Sequence, residues 1–309
     1  MHELDTARFS HLVDPHLHVW GWEIPVYLFL GGMAAGIMIA GALLAGRPDR
    51  SRAARWLGLA APLLVTVGMG ALFLDLANRE HVFRFYLALR PQSPMSWGAW
   101  ILLVVYPVTL LSWLGALDEA DAERVATRAG PLGAAVRSAR GFALERAGCL
   151  RRVSLGTGVA LGVYTGILLS ALGARALWSS ALLGPLFLAS GFSTGAALLL
   201  LFPVSDEERH LVGRWHLGAV GAEVALLALF LLGLVAGNEA SRRAAGLLLG
   251  GPFTGPFWAL VVVAGLGVPA LAEVLERRLS LRPTVVAPVL VLVGGLALRW
   301  ILVSAGQVS

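Results

Sequence analysis

Six stretches of this 309-residue chain contain no Asp, Glu, Lys or Arg: residues 24–46, 56–74, 91–117, 153–174, 176–205 and 244–272. Each is near or above the roughly 18–20 apolar residues that an α-helix needs to cross about 30 Å of hydrocarbon. No water reaches backbone N–H and C=O groups in a bilayer, so a stretch of this kind folds as a helix that bonds them internally. Two further windows are broken by one charge each, 215–238 by Glu223 and 283–309 by Arg299. An all-α integral membrane protein of eight transmembrane helices follows, and the even count brings both termini to one side. Composition agrees: 57% of residues are hydrophobic and 14% charged, and mean hydropathy is +0.76, leaving too few polar groups to coat a soluble domain.

Arginine sets the direction. The 24 cationic side chains are all arginine, which fits a coding bias as well as a design, so the basic pI of about 10.3 alone gives no reason to expect a nucleic-acid partner. Sixteen fall in loops on the side opposite the termini, seven on the terminal side, and Arg299 lies inside a span. The positive-inside bias therefore predicts that both termini face outward from the inner membrane. The N-terminus has acids and histidines before Trp20 and no cationic n-region, so it does not read as a removable signal peptide. The long inner loop "DEADAERVATRAGPLGAAVRSARGFALERAGCLRR" mixes acids and arginines around Gly130–Pro131 and predicts short interfacial helices.

Glycine spacing suggests a weak internal repeat. Gly32 and Gly36 match Gly191 and Gly195 at an offset of about 159, and "WILLVV" from Trp100 matches "WALVVV" from Trp258. Two readings stay open: chance similarity among apolar helices, or a duplication that gives two four-helix bundles, residues 1–175 and 176–309. Gly158, Gly162 and Gly166 form a further small-residue stripe suited to close helix packing.

Ionisable and polar groups at membrane depth are costly, so each marks a candidate site. Glu23 stands at the outer mouth of the first span beside Trp20 and Trp22, and Asp75 at the outer end of the second. Tyr164 lies about eleven residues from either arginine edge of the fourth, near mid-membrane at about 1.5 Å per residue. Glu23 and Asp75 also fit solvated span ends, the tryptophans with Trp97 fit an aromatic belt, and Tyr164 fits a hydroxyl bonded to neighbouring backbone. Glu223 falls near mid-bilayer and Arg299 in the outer third of the last span. Glu223 either stays protonated or lies on a proton path with His216 and Arg299, and Arg299 calls for an acidic partner or snorkels outward. A bis-histidine haem is not expected, because His216 alone among seven histidines enters a span. One cysteine, Cys149, excludes a disulfide framework and an iron–sulfur cluster held by this chain alone. His16, His18 and Asp14 have only a weak metal-chelating spacing, and no metal is expected.

Five segments in order, "WGWEIPVYLFLGGMAAG" from Trp20, "DLANRE" from Asp75, "SPMSWGAWIL" from Ser93, "YTGILLS" from Tyr164 and "LRWILVSAG" from Leu298, resemble the successive signatures of the NrfD/PsrC family, the membrane subunits of polysulfide reductase-type complexes. The resemblance implies a haem-free, eight-helix subunit of a respiratory oxidoreductase. Such a subunit exchanges electrons between membrane quinone (menaquinone or ubiquinone) and a four-cluster ferredoxin-like iron–sulfur subunit on the outer face. That partner passes electrons to a molybdopterin catalytic subunit or a multihaem cytochrome. Carried over by motif, the family's quinone pocket maps to Trp22, Glu23, Asp75 and Tyr164, with His18 a further candidate. Two positions depart from the family pattern: Glu23-Ile24-Pro25-Val26 where some members place Asn and His, and Arg79 where Pro is common. The loop "ANREHVFRFYLALRPQS", basic and aromatic, is the expected docking surface, with Arg84 and Phe85 as its candidates. Without the resemblance, a transporter with discontinuities at Pro25, Pro107, Pro185 and Pro269 fits composition equally well.

Overall fold

The computed structural model describes residues 20–47, 50–76, 90, 92–171, 175–279 and 284–309. His18, the N-terminal histidines, Arg84 and Phe85 lie outside the described residues. Every regular element among those described is helical. They are α1 (Glu23–Leu44), α2 (Arg52–Leu57), α3 (Ala60–Asp75), α4 (Pro94–Ala116), α5 (Glu119–Arg128), α6 (Gly133–Glu145), α7 (Ala147–Ser170), α8 (Leu183–Leu200), α9 (Asp206–Ala236), α10 (Glu239–Leu249), α11 (Val268–Leu279) and α12 (Val286–Gln307). A segment wound in wide π turns, Phe257–Gly267, leads into α11. Eight segments are long and apolar enough to span a membrane: α1, Arg52–Asp75, α4, α7, α8, α9, Thr254–Glu276 and α12. The protein is a multi-pass membrane protein.

Local chemistry moves several boundaries away from the charge-free windows. Ser205 and Glu208 form a reciprocal capping box, with three acids in the first turn, so α9 starts at Asp206 rather than near 215. The window 244–272 divides: its first residues end the short helix α10, a break follows at Gly250–Gly251, and the span runs on through Glu273 to Glu276. In the arginine-rich loop α5 and α6 form as expected, separated at Gly130, whose φ of +55° suits glycine. Pro25 and Pro185 each sit in the first turn of a helix, where a missing N–H costs nothing. Pro107 lies inside α4, and Pro269 lies inside the continuous span Thr254–Glu276, just past the end of the π-wound segment at Gly267.

α5 is clamped to α2. Asp121 accepts from Arg52 Nε at 2.8 Å and Nη2 at 2.7 Å, from Trp56 Nε1 at 2.9 Å and from Arg124 Nη1 at 2.8 Å. The Arg52 hydrogen bonds, then the Trp56 indole, hold its carboxyl down at about 2.

α1 is the centre of the packing, in contact with α3, α7, α8 and α12. It meets α8 glycine to glycine. A Cβ on Gly191 would lie 2.6 Å from the Gly32 carbonyl oxygen, and one on Gly195 would lie 2.6 Å from the Gly36 carbonyl carbon. The glycines matched as a repeat are thus two stripes facing each other. Lipid supplies no hydrophobic drive between helices, so backbone approach of this kind carries the dispersion contact. The largest buried cluster runs from Tyr27 and Leu28 through Trp178 and Phe187 to Phe230, Phe257 and Leu302. At one end of the spans the Gln307 side chain accepts from Trp20 N–H and donates to Trp20 C=O, both at 3.0 Å, so α1 begins where α12 ends. Trp20 also stacks on Trp178 with ring centroids 5.2 Å apart. Trp178 donates in turn to Leu302 O at 2.8 Å and covers Gly306.

Gly36→Val forces α1 away from Gly191 and Gly195 and is expected to lower stability by about 1–3 kcal/mol, as over-packing does. Gly221→Ala meets open space and is expected to leave stability unchanged or slightly raised. Thermal unfolding of the detergent-solubilised chain compares them; equal midpoints would remove the α1–α8 contact from its central place.

Candidate functional site

Glu23 and Tyr27 are one turn apart on the same face of α1. The Glu23 carboxylate folds back over Gly21, where a Cβ would meet its Oε2 and push it aside. α3 runs alongside, its Gly68 in contact with the Tyr27 ring and carbonyl, with about 3.6 Å to a Cβ built there. Two turns further along, α3 delivers Asp75 within range of charge repulsion from Glu23. Tyr164 of α7 is buried, and its hydroxyl is hydrogen-bonded to Tyr27. The same hydroxyl presses on Gly98 of α4, where a Cβ would displace it.

Four helices therefore meet here. Glu23 and Asp75 lie within electrostatic reach of each other at the span ends, and Tyr164 meets Tyr27, which sequence reasoning did not single out and which lies one turn along α1 from Glu23. The signal for it was positional only: a hydroxyl four residues after an acid in an otherwise apolar run. Trp22 stands at the N-cap of α1 and is 49% exposed, outside the buried tyrosine pair.

A second polar cluster lies between α8, α9 and α12. Arg299 is fully buried. Its Nη1 donates to Ser190 Oγ at 2.6 Å and to Gly295 O at 3.0 Å, its Nη2 donates to Phe187 O at 3.2 Å, and its Cζ stands 5.0 Å from the Phe187 ring centre. Ser190 is also hydrogen-bonded to Glu223, which feels the Arg299 charge. The acidic neighbour that Arg299 calls for is thus Glu223, reached through Ser190. Gly32 of α1 leaves space for the same guanidinium, since a Cβ there would lie 3.0 Å from Nη2.

His216 sits two turns before Glu223 on α9, within electrostatic reach of it. Its Nδ1 is hydrogen-bonded to Glu273 Oε2 at 2.8 Å, and its Nε2 is buried with no partner among the described residues. A cavity of about 320 Å³ touches His216 and Glu273 and extends to Asp206, Arg209 and Glu276. Ser190 and Glu273 were not anticipated. Ser190 gives no charge signal, and Glu273 lies one residue past a charge-free window. Among the described residues no three His, Cys, Asp or Glu side chains gather as a metal site.

Comparison with known proteins bears on both clusters. The family model "Polysulphide reductase, NrfD" matches residues 12–309. The chain belongs to the NrfD family. Protein NrfD of Escherichia coli (strain K12) is 33% identical over 306 residues, covering 94% of this chain and 96% of that one. The polysulfide reductase C subunit of Wolinella succinogenes is 30% identical over 309 residues, covering 94% of each. Protein NrfD homolog of Haemophilus influenzae is 26% identical over 306 residues, covering 94% of this chain and 95% of that one. The NrfD match extends across all eight spans and so takes in both polar clusters.

Removing one partner from a buried charge pair leaves the other uncompensated, at a cost on the order of 3–5 kcal/mol. Arg299→Met is therefore expected to destabilise the chain strongly, and the double variant Arg299→Met/Glu223→Gln to recover part of the loss. Thermal midpoints of the four proteins in the cycle measure the coupling; strictly additive shifts would mean that Glu223 and Arg299 do not interact.

Proposed function

We propose that this protein is the membrane-anchor subunit of a respiratory oxidoreductase. In this reading it exchanges electrons and protons between membrane quinone, menaquinone or ubiquinone, and an extracytoplasmic four-cluster iron–sulfur subunit. A molybdopterin subunit or multihaem cytochrome completes the complex. The observation that carries the reading is the meeting of Glu23, Asp75, Tyr27 and Tyr164 at one end of four helices in a chain of the NrfD family. Family membership also favours a redox role over transport, and the relative named as a polysulfide reductase subunit supports a multi-subunit assembly.

Quinone, when bound, supplies the two-electron, two-proton chemistry. The residues suit that load. A phenol buried against Gly98 is a fixed hydrogen-bond donor, and the Tyr27–Tyr164 pair lets a proton given up by one hydroxyl be replaced by the other. Asp75 and Glu23, both only partly buried, lie where a proton passes between the hydroxyl pair and water. Two carboxylates within electrostatic reach of each other can share one proton and hand it on. Trp22 stands at the mouth and contributes binding surface, and His18, outside the described residues, is a further binding candidate. The first half, residues 1–175, carries this site, and the loop after Asp75, with Arg84 and Phe85, docks the iron–sulfur subunit.

Asp75→Asn and Tyr164→Phe are each expected to cut quinol-linked turnover about a hundredfold, the scale of a lost general acid or base, while the complex still assembles. Stopped-flow quinol oxidation by the purified complex reads this directly. Wild-type kinetics in both variants would end the assignment.

The second half, residues 176–309, supports a companion role: Glu223, His216 and Arg299 form a proton path. A cavity reaching His216–Glu273 and a carboxylate buried one step further are the arrangement such a path needs. In proteoliposomes holding the complex and a pH-sensitive dye, Glu223→Gln is expected to abolish proton movement while quinol oxidation in detergent continues. Proton movement equal to wild type would rule the path out.

A further inference from the structure

At the ends of the spans opposite Glu23, the C-terminal turns of α1 and α4 meet α2 and the first turns of α7 around a cavity of about 260 Å³. Ile37, Met38 and Leu150 give it apolar walls, and Arg47, Arg50, Arg55 and Arg151 stand around it. Four of its lining residues hold buried polar atoms with no partner among the described residues: Arg50 Nε, Arg55 Nε, Ser112 Oγ and Trp113 Nε1. All four can donate a hydrogen bond, and unanswered buried donors are rare because each costs the desolvation of its group.

The neighbouring carboxylates do not answer them. Asp118 accepts from Arg55 Nη2 at 3.1 Å, Glu207 approaches Arg47 Nη2 at 3.5 Å, and Glu208 accepts from Ser51 N at 3.0 Å. Burial pulls the Arg50 guanidinium below its ordinary value; Glu208 offsets part of this and Arg55 adds to it. The first turn of α7, which lines the cavity, has no side-chain cap, so it adds free N–H groups at the positive end of a helix dipole. Positive charge and donors exceed acceptors here.

We propose that this cavity binds the phosphodiester of an anionic phospholipid, its non-bridging oxygens accepting from Arg50 Nε, Arg55 Nε, the Ser112 hydroxyl and the Trp113 indole. A phosphodiester has the negative charge and the several acceptor lone pairs that four unanswered donors around one cavity require. The cavity lies at the end of membrane spans, which favours a lipid over a soluble phosphate as the source. Two of its walls, α4 and α7, continue into the bilayer with exposed Leu103, Leu110, Leu155 and Val159 for acyl chains to lie against. The lipid closes the gap among α1, α2, α4 and α7 on the arginine-rich face. This site is independent of the quinone reading, being built from other residues at the other end of the helices.

The test uses the full chain, delipidated in detergent, and follows its thermal midpoint on addition of phosphatidylglycerol, phosphatidylcholine or inorganic phosphate. Phosphatidylglycerol is expected to raise the midpoint saturably, and the other two are not. Arg50→Gln and Trp113→Phe are each expected to raise the phosphatidylglycerol concentration for half-effect about tenfold, the loss of one buried hydrogen bond to a charged group. Trp113→Phe keeps the ring that packs on Trp56, at 5.6 Å between centroids, so it reads the indole N–H even where Arg50→Gln fails to fold. Equal responses to phosphatidylglycerol and phosphatidylcholine, or a wild-type response in Trp113→Phe, would overturn the site. A full response to inorganic phosphate alone would overturn the lipid as its source.

Discussion

The contact between α1 and α8 governs the rest of the molecule. Two glycines of each helix bring the backbones together without side chains between them, which in lipid is the available route to tight packing. With α1 held at this depth and rotation, its other faces are assigned. Glu23 and Tyr27 turn toward α3 and α7, and Gly32 turns toward the Arg299 guanidinium. A side chain at Gly32 would compete with Arg299, so the glycine that admits α8 also admits the buried charge.

Each polar cluster solves the problem of placing ionisable groups away from water in its own way. The two terminal nitrogens of Arg299 bond a hydroxyl and two carbonyls, and its guanidinium meets an aromatic face, before any carboxylate is counted; its Nε has no partner among the described residues, and Glu223 shares the hydroxyl. Such sharing reduces the Coulomb attraction that the pair must supply against desolvation. Glu23 and Asp75 remain near the span ends, where neither is fully withdrawn from solvent. The buried tyrosines between them and the core are neutral, so hydroxyls carry the polarity inward where charges would be expensive.

Much of this was legible in the sequence, and the rest was hidden for physical reasons. The spans could be read because the absence of charge over twenty residues has one meaning in a bilayer. Glu23, Asp75, Glu223 and Arg299 could be read because charge at depth is conspicuous. Tyr27 and Ser190 could not: a hydroxyl crosses a hydrophobic window unnoticed, and its importance comes from the side chain packed opposite. Glu273 was missed for the converse reason, since a charge taken to end a window is in fact carried into the span by a partner histidine. The start of α9 was written as a capping box in Ser205–Glu208, a local signal masked by the weight given to apolar length. The facing glycines were visible as a pair of similar motifs, yet similarity along the chain did not reveal that the two motifs touch.

The Gln307 amide that grips both polar groups of the Trp20 peptide joins residues 287 positions apart. During synthesis α1 leaves the ribosome long before α8 and enters the bilayer with its glycine face bare. The amide that fixes its N-terminal end follows later still, after α12 has been made. Assembly therefore proceeds around a helix that waits, exposed to lipid and to any insertion chaperone, until Gln307 emerges. A truncation that removes Gln307 leaves the first helix without its latch.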